Sequence, residues 1–165
     1  MNIEEPSASE PHIIGLISDT HGMVRADVHE ALKSVGLILH AGDVGDGVLA
    51  ELGTIAPVRA VFGNTDPAGD PSLAQSLELQ IGGVSIHVSH GHELGSPKAD
   101  KLAIAYDADV IVYGHTHRQQ IVHVGDKLVV NPGAAGARRF NLHPSVAILT
   151  ISSGTASAQI IELDD

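Results

Sequence analysis

Seven side chains of this sequence are of types that bind metal ions, and they come in five short polar clusters: Asp19 with His21, Asp43, Asn64, His90, and His115 with His117. His40, Asp66 and His92 stand beside them. Cysteine is absent, so thiolate ligands and thiolate nucleophiles are excluded and only oxygen and nitrogen donors remain. Seven such donors exceed the needs of one tetrahedral zinc. Two ions sharing one carboxylate account for them better, and mixed imidazole, carboxylate and amide donors suit Mn, Fe, Co, Ni or Zn better than Mg or Ca. A glycine accompanies each cluster (Gly22, Gly42, Gly63, Gly91, Gly114), where the missing Cβ permits a tight approach to an ion.

These donors act together only if the chain brings them to one place. Ordered structure is expected from His12, where Ile13, Ile14, Leu16 and Ile17 form an apolar run suited to a strand buried on both faces. That run ends at Ser18-Asp19-Thr20-His21-Gly22. Leu37 to Leu39 and Val58 to Phe62 read as strands leaving at Gly42-Asp43 and Gly63-Asn64. Leu77 to Ile81 and Val84 to Val88 flank Gly82-Gly83 as a hairpin that exits into His90, and Val110 to Tyr113 exits into Gly114-His115-Thr116-His117. Further strands are expected at Gln120 to Val124, Lys127 to Val130, Val146 to Ile151 and Gln159 to Leu163.

Three helices fall between these strands. Asp27 with Glu30 reads as a capping pair before Val28, Ala31, Leu32 and Val35, and Asp46 as the cap of a helix with Val48, Leu49 and Leu52. Ser96 as N-cap, with Pro97 at the first helical position, opens a helix through Tyr106. Every ligand cluster thus follows a strand, and in open α/β sheets the crevice beyond the carboxyl ends of the strands is where ligands bind.

Bulk composition narrows the partners. The 165 residues suit one domain, 12–165, behind a short flexible tail, 1–11, that is acidic and carries no hydrophobic segment. With 20 acidic against 9 basic residues the formal charge is −11, and two Phe, two Tyr and no Trp leave few rings to stack on bases. A nucleic-acid polymer is therefore not expected as partner. No apolar run is long enough to cross a membrane, so no membrane partner and a cytoplasmic location are expected. A homodimer is the symmetry-based expectation. There is no phosphate loop, nucleophile elbow or dinucleotide turn.

The ordered set Asp19-Thr20-His21, Gly42-Asp43, Gly63-Asn64, His90-Gly91 and Gly114-His115-Thr116-His117, with Asn131-Pro132-Gly133 after it, resembles the calcineurin-like metallophosphoesterases and, within them, the small YfcE-like phosphodiesterases. The likeness runs from about His12 to Gly133. It implies an α/β fold, a four-layer α/β/β/α sandwich of two mixed sheets flanked by helices. It further implies one metal held by Asp19, His21, Asp43 and His117 and another by Asp43, Asn64, His90 and His115, with Asp43 bridging. The expected metal is manganese, with Ni, Fe, Co or Zn as alternatives. The implied function is a phosphoesterase, foremost a phosphodiesterase, acting on a small phosphate ester through a metal-bridging hydroxide. Phosphomonoester hydrolysis and a metal-binding scaffold like the retromer subunit of this fold are the alternatives.

Asp43, Asn64 and His92 are the expected catalytic residues. Larger relatives carry a His directly after the Asn of the third motif, where this chain has Thr65. A threonine hydroxyl cannot donate a proton as imidazolium does, so leaving-group protonation falls to His92 or Asp66, or is dispensed with. His40 is read as support for Asp43 through a hydrogen bond. Arg118 is either a phosphate contact or a surface charge, Arg138 and Arg139 are read as a solvated pair, and His12, His29, His87, His123 and His143 as structural or exposed.

Overall fold

The computed structural model describes residues 11–67, 69–138 and 141–164. Residues 1–10 of the expected tail, and Arg139, lie outside the described residues. Ten strands form two five-stranded sheets. In the first, β1 (His12–Ile17) lies parallel to β2 (Leu37–His40), and β2 parallel to β3 (Val58–Ala60). On the other side of β1 run β9 (Ser145–Ser152) and then β10 (Thr155–Glu162), both pairings antiparallel. In the second sheet β5 (Val84–Val88), β6 (Val110–Val112) and β8 (Lys127–Asn131) are parallel, and β4 (Leu77–Ile81) and β7 (Gln120–Val124) close its edges antiparallel.

The side-chain pattern stacks these sheets. Ile14, Leu16 and Leu39 of the first meet Ile86, Val88, Val110 and Val112 of the second in one buried cluster. The opposite face of the first sheet, with Ile17, Ile38 and Val146, covers α1 (Ala26–Ala31) and α2 (Val48–Leu52) through Val28, Leu32, Val48 and Leu52. The opposite face of the second packs Ile111 and Val129 on Leu102 of α3 (Ala99–Ala105). The layers are therefore α/β/β/α, as the resemblance implies. Strands buried on both faces explain the continuous Val and Ile runs. Among the described residues, no helix is long and apolar enough to cross a membrane.

The helix starts differ from expectation. Asp27 lies inside α1, which is capped by Arg25 without a side-chain bond, and the Asp27 carboxylate instead accepts the Asp164 N–H at 2.6 Å. Gly47, at φ 80°, takes the N-cap of α2 in place of Asp46. The third helix begins at Ala99 with Lys98 as N-cap, so Ser96 and Pro97 belong to the preceding loop.

Candidate metal centre

All five clusters follow parallel strands (β1, β2, β3, β5 and β6) and meet at one edge of the double sheet. Their backbone is unusual. Six described non-glycine residues have positive φ, and five of them are Asp19, His21, Asp43, His115 and His117. A left-handed side-chain-bearing residue is disfavoured sterically and persists where its surroundings overdetermine it. Here the surroundings are the turns themselves: Asp19 N–H donates to Gly42 O at 2.9 Å, His21 N–H to Asp43 O at 3.0 Å, and Gly114 N–H to His90 O at 3.0 Å. Two glycines make the contact physically feasible, since a Cβ on Gly63 would lie 2.1 Å from Asp43 Oδ1, and one on Gly114 would lie 2.0 Å from Ser18 Oγ.

Each carboxylate is divided between a braced oxygen and a free or outward-facing one. Asp19 Oδ2 accepts Ser18 Oγ–H at 2.6 Å and the His115 N–H at 3.1 Å, while Asp19 Oδ1 is buried without a hydrogen-bond partner. Asp43 Oδ1 accepts the Thr65 N–H at 3.0 Å, and Oδ2 faces His90 Nε2 at 3.3 Å and His21 Nε2 at 3.8 Å. Asp19 Oδ1 faces His117 Nε2 at 3.4 Å and His90 Nε2 at 3.8 Å. His21 Nε2 and His90 Nε2 are likewise buried and unpartnered. Buried polar atoms are ordinarily satisfied, so a convergent set of orphans is what a cation would complete. Asp19, His21 and His117 form one trio, and Asp19, Asp43 and His90 another, their donor atoms lying within 4.8 Å of one another. The donor set fits divalent metal.

Asn64 and His115 complete the rim rather than the buried trios: Asn64 is exposed, and its Oδ1 stands 3.2 Å from His115 Nδ1. His92 is half-buried, its ring 5.3 Å from that of His90 and 6.3 Å from that of His115 between centroids, and its Nδ1 has no hydrogen-bond partner, standing 3.9 Å from Glu93 Oε1.

Electrostatics follow this packing. Burial disfavours a charge on His90, but the close approach of the Asp43 carboxylate and the charge of Asp19 outweigh it and raise its pKa. Burial also opposes a charge on Asp43, yet the adjacent His90 ring and the bond from the Thr65 N–H hold the carboxyl far below its usual range. Burial, with His90 nearby, lowers His115.

The supporting residues depart from the sequence reading. His40 does not touch the Asp43 side chain. It accepts the Gly42 N–H on Nδ1 at 3.1 Å and donates from Nε2 to Thr20 Oγ1 at 2.9 Å, which in turn donates to Val44 O at 2.7 Å. It thereby ties the first two turns together. Asp66 accepts the N–H groups of Val44, Gly45 and Gly63 at 2.9–3.2 Å. Its oxygens are committed as acceptors, so it is a clamp between turns and not a proton donor. Two residues had no role assigned in the sequence reading: Ser18, which braces Asp19, and Asn131, whose Nδ2 donates to Gly114 O at 3.2 Å and Thr116 Oγ1 at 3.0 Å. Ser18 carried no signal beyond its place beside Asp19, whereas Asn131 was flagged by Asn131-Pro132-Gly133. His90 Nδ1–H donates to Ala41 O at 2.8 Å, which turns Nε2 inward with its lone pair.

The family model of the calcineurin-like phosphoesterase superfamily domain matches residues 13–154. The chain belongs to that superfamily. A probable metallophosphoesterase of Methanothermobacter thermautotrophicus is 36% identical over 160 residues, covering 90% of this chain and 91% of its own. A phosphodiesterase of Methanocaldococcus jannaschii is 27% identical, over 73% of this chain and 82% of its own. The fold is shared with Vps29 of Entamoeba histolytica solved with zinc, at TM-score 0.72 and 23% identity, covering 91% of this chain and 98% of that one. Membership of a metal-dependent phosphoesterase family and a buried cluster of metal-type donors thus coincide in this chain.

Proposed function

We propose that this chain hydrolyses phosphate esters, phosphodiesters foremost, with two divalent transition-metal ions, manganese favoured, held between its sheets in the cytoplasm. The observation that carries the reading is the coincidence of strain with orphaned polarity: five ligand-type residues sit in left-handed backbone, and beside them Asp19 Oδ1, His21 Nε2 and His90 Nε2 are buried without a hydrogen-bond partner. Asp19, His21, Asp43 and His117 would hold one ion and Asp43, Asn64, His90 and His115 the other, with Asp43 shared. When bound, the ions supply positive charge and an activated water for attack at phosphorus.

The chain's own residues set the geometry around that chemistry. Ser18, the His115 N–H and the Thr65 N–H fix one oxygen of each carboxylate and so aim the other inward. The bond from His90 Nδ1–H to Ala41 O fixes the ring orientation. His92 stands beside His90 and His115 with no hydrogen bond on Nδ1 and the Glu93 carboxylate 3.9 Å from it, positioned to protonate a departing alcohol. With Thr65 in place of a second histidine, that assistance is limited, and general acid help is worth about 10²–10⁴-fold. Aryl diesters should therefore be turned over at least roughly a hundredfold faster than alkyl monoesters. The reverse order in a substrate panel would overturn the diesterase assignment in favour of a monoesterase.

The direct test is hydrolysis of bis(p-nitrophenyl) phosphate by manganese-loaded protein. Asp43→Asn should lower kcat by about a thousandfold or more, because Lewis-acid stabilisation is worth several kcal/mol. The shared fold with Vps29 favours one rival, a scaffold. Since that Vps29 was itself solved with zinc, metal content alone does not separate the two readings. A metal-loaded wild type that turns over no phosphate ester would leave the scaffold standing.

A further inference from the structure

The proposed site lies at one edge of the sheets, and beside it opens a cleft of about 430 Å³ lined by Pro97, Lys98, Tyr113, Thr116, Arg118 and Gln120. Both walls hang on ligand turns. Thr116 lies between His115 and His117, and Pro97 packs on Gly91, between His90 and His92, closely enough that a Cβ on Gly91 would stand 3.1 Å from the proline ring.

Its charge runs against the rest of the molecule. The chain has 20 acidic and 9 basic residues, and two of its other clefts are acidic, one lined by Asp46, Asp66 and Asp70 and another by Asp109 and Asp126. This cleft is lined by two cations and by no carboxylate of the described residues. Three cations elsewhere are spent on structure: Lys33 pairs with Glu30, Lys127 donates to Ala103 O and Tyr106 O, and Arg25 donates to Gly136 O and Asp164 O. Neither the Lys98 ammonium nor the Arg118 guanidinium has a partner among the described residues; only the Arg118 backbone N–H is engaged, with Thr116 Oγ1. Gln120 Oε1 accepts the Tyr113 hydroxyl at 2.7 Å, which leaves its amide N–H groups free as further donors. Unpaired cations and amide donors in an otherwise acidic protein select an anion.

We infer that this cleft is a second phosphate subsite, and that the ester hydrolysed carries a further phosphate on the arm that is not cleaved. The inference rests on the proposed hydrolase and assigns its substrate class. Arg118 supplies a planar fork for two phosphate oxygens and Lys98 a point charge on the opposite wall.

The test uses matched p-nitrophenyl diesters that share one leaving group, with a hydroxyalkyl arm or the same arm phosphorylated at its end, over a series of arm lengths. For the arm length that spans the two sites, wild type should favour the phosphorylated ester roughly tenfold in kcat/KM, carried by KM, as two solvent-exposed ion pairs allow. In Arg118→Gln/Lys98→Gln that ratio should fall towards one. A wild-type ratio near one at every arm length, or an unchanged ratio in the variant, overturns the inference. If neither ester is hydrolysed, the hydrolase reading has failed and the cleft is decided by binding: inorganic phosphate titrated into metal-free protein should shift the backbone amides of residues 116–120 in wild type and not in the variant. Shifts that are absent, or equal in both proteins, would overturn it there too.

Discussion

The two ends of the double sheet both turn the chain through left-handed backbone, but they give that conformation to different residues. At the far end, two-residue hairpins join β4 to β5, β7 to β8 and β9 to β10, using Gly82-Gly83, Gly125-Asp126 and Ser153-Gly154. Four of these six residues are glycines with positive φ, as such turns demand. At the site end, Asp19, His21, Asp43, His115 and His117 hold φ between 48° and 73° with their side chains intact. A left-handed non-glycine costs roughly 1–2 kcal/mol, less for Asp and His than for branched residues. Where a turn only reverses the chain, glycine takes four of the five left-handed positions, Ser153 being the fifth; where the side chain is needed, the strain is kept and the surroundings absorb it.

The largest expected break in this contrast comes from adding one methyl group at each end. Gly63→Ala would place a Cβ 2.1 Å from Asp43 Oδ1 and 2.4 Å from Asp43 N, so the Asp43 turn must move. Loss of stability by about 1–3 kcal/mol is expected, with bound metal and at least roughly a hundredfold of kcat lost alongside. Gly82→Ala also carries a penalty of about 1–2 kcal/mol, from its φ of 58° and a Cβ 2.9 Å from His12 and Ile151. Its kcat and metal content should match wild type. Denaturation midpoints measured beside metal content separate the cases, and equal kinetic loss in both variants would erase the distinction between the ends.

Next in size is a pH effect confined to the site end. The far hairpins are held by their strand ladders, whereas the first two site turns are tied by buried His40. Burial lowers the His40 pKa from 6.5 to about 4, against the raising influence of Asp19 and Asp66. The folded state thus binds fewer protons than the unfolded chain between these values. The stability from His40 is present above pH 6.5, is lost as pH falls toward about 4, and is on the order of 3 kcal/mol. Urea denaturation of metal-free protein across that window should show a slope that flattens in His40→Gln. An unaltered slope would mean that His40 is not the group coupling the turns to pH.

Much of this was readable in the chain, and the failures share a cause. The central strands stand near their expected positions because doubly buried strands need continuous Val, Ile and Leu, a local signal, whereas the half-exposed edge strand β10 begins at Thr155, four residues before its expected start. The seven candidate donors stand out because each follows such a run. What was missed depends on partners distant in sequence. Asp27 looked like a helix cap and is engaged by Asp164; Asp66 looked like an acid and is saturated by Val44, Gly45 and Gly63. Asn131 stands in a motif, but its bonds to Gly114 and Thr116 depend on a turn that folds back to it, which the motif does not announce. The strain itself was invisible, since Asp-x-His in sequence does not state its φ.

The smallest effect bears most directly on whether that strain is retained for metal. Ser153, at φ 54°, is the one non-glycine residue of positive φ among those described that lies outside the site, and His21 has φ 48°. Replacing either by glycine relieves roughly 1–2 kcal/mol of backbone strain and adds about 0.5–1 kcal/mol of chain entropy to lose. A net gain near 0.5–1 kcal/mol is expected for both in chelator-treated protein. With manganese present the two should diverge. Ser153→Gly keeps its gain, whereas His21→Gly forfeits the stabilisation that ligand binding confers on the folded state, so wild type becomes the more stable protein. If His21→Gly were already destabilising in chelator, His21 would be contributing native contacts that outweigh its backbone cost, and the strained site end would owe its conformation to packing and not to the cation.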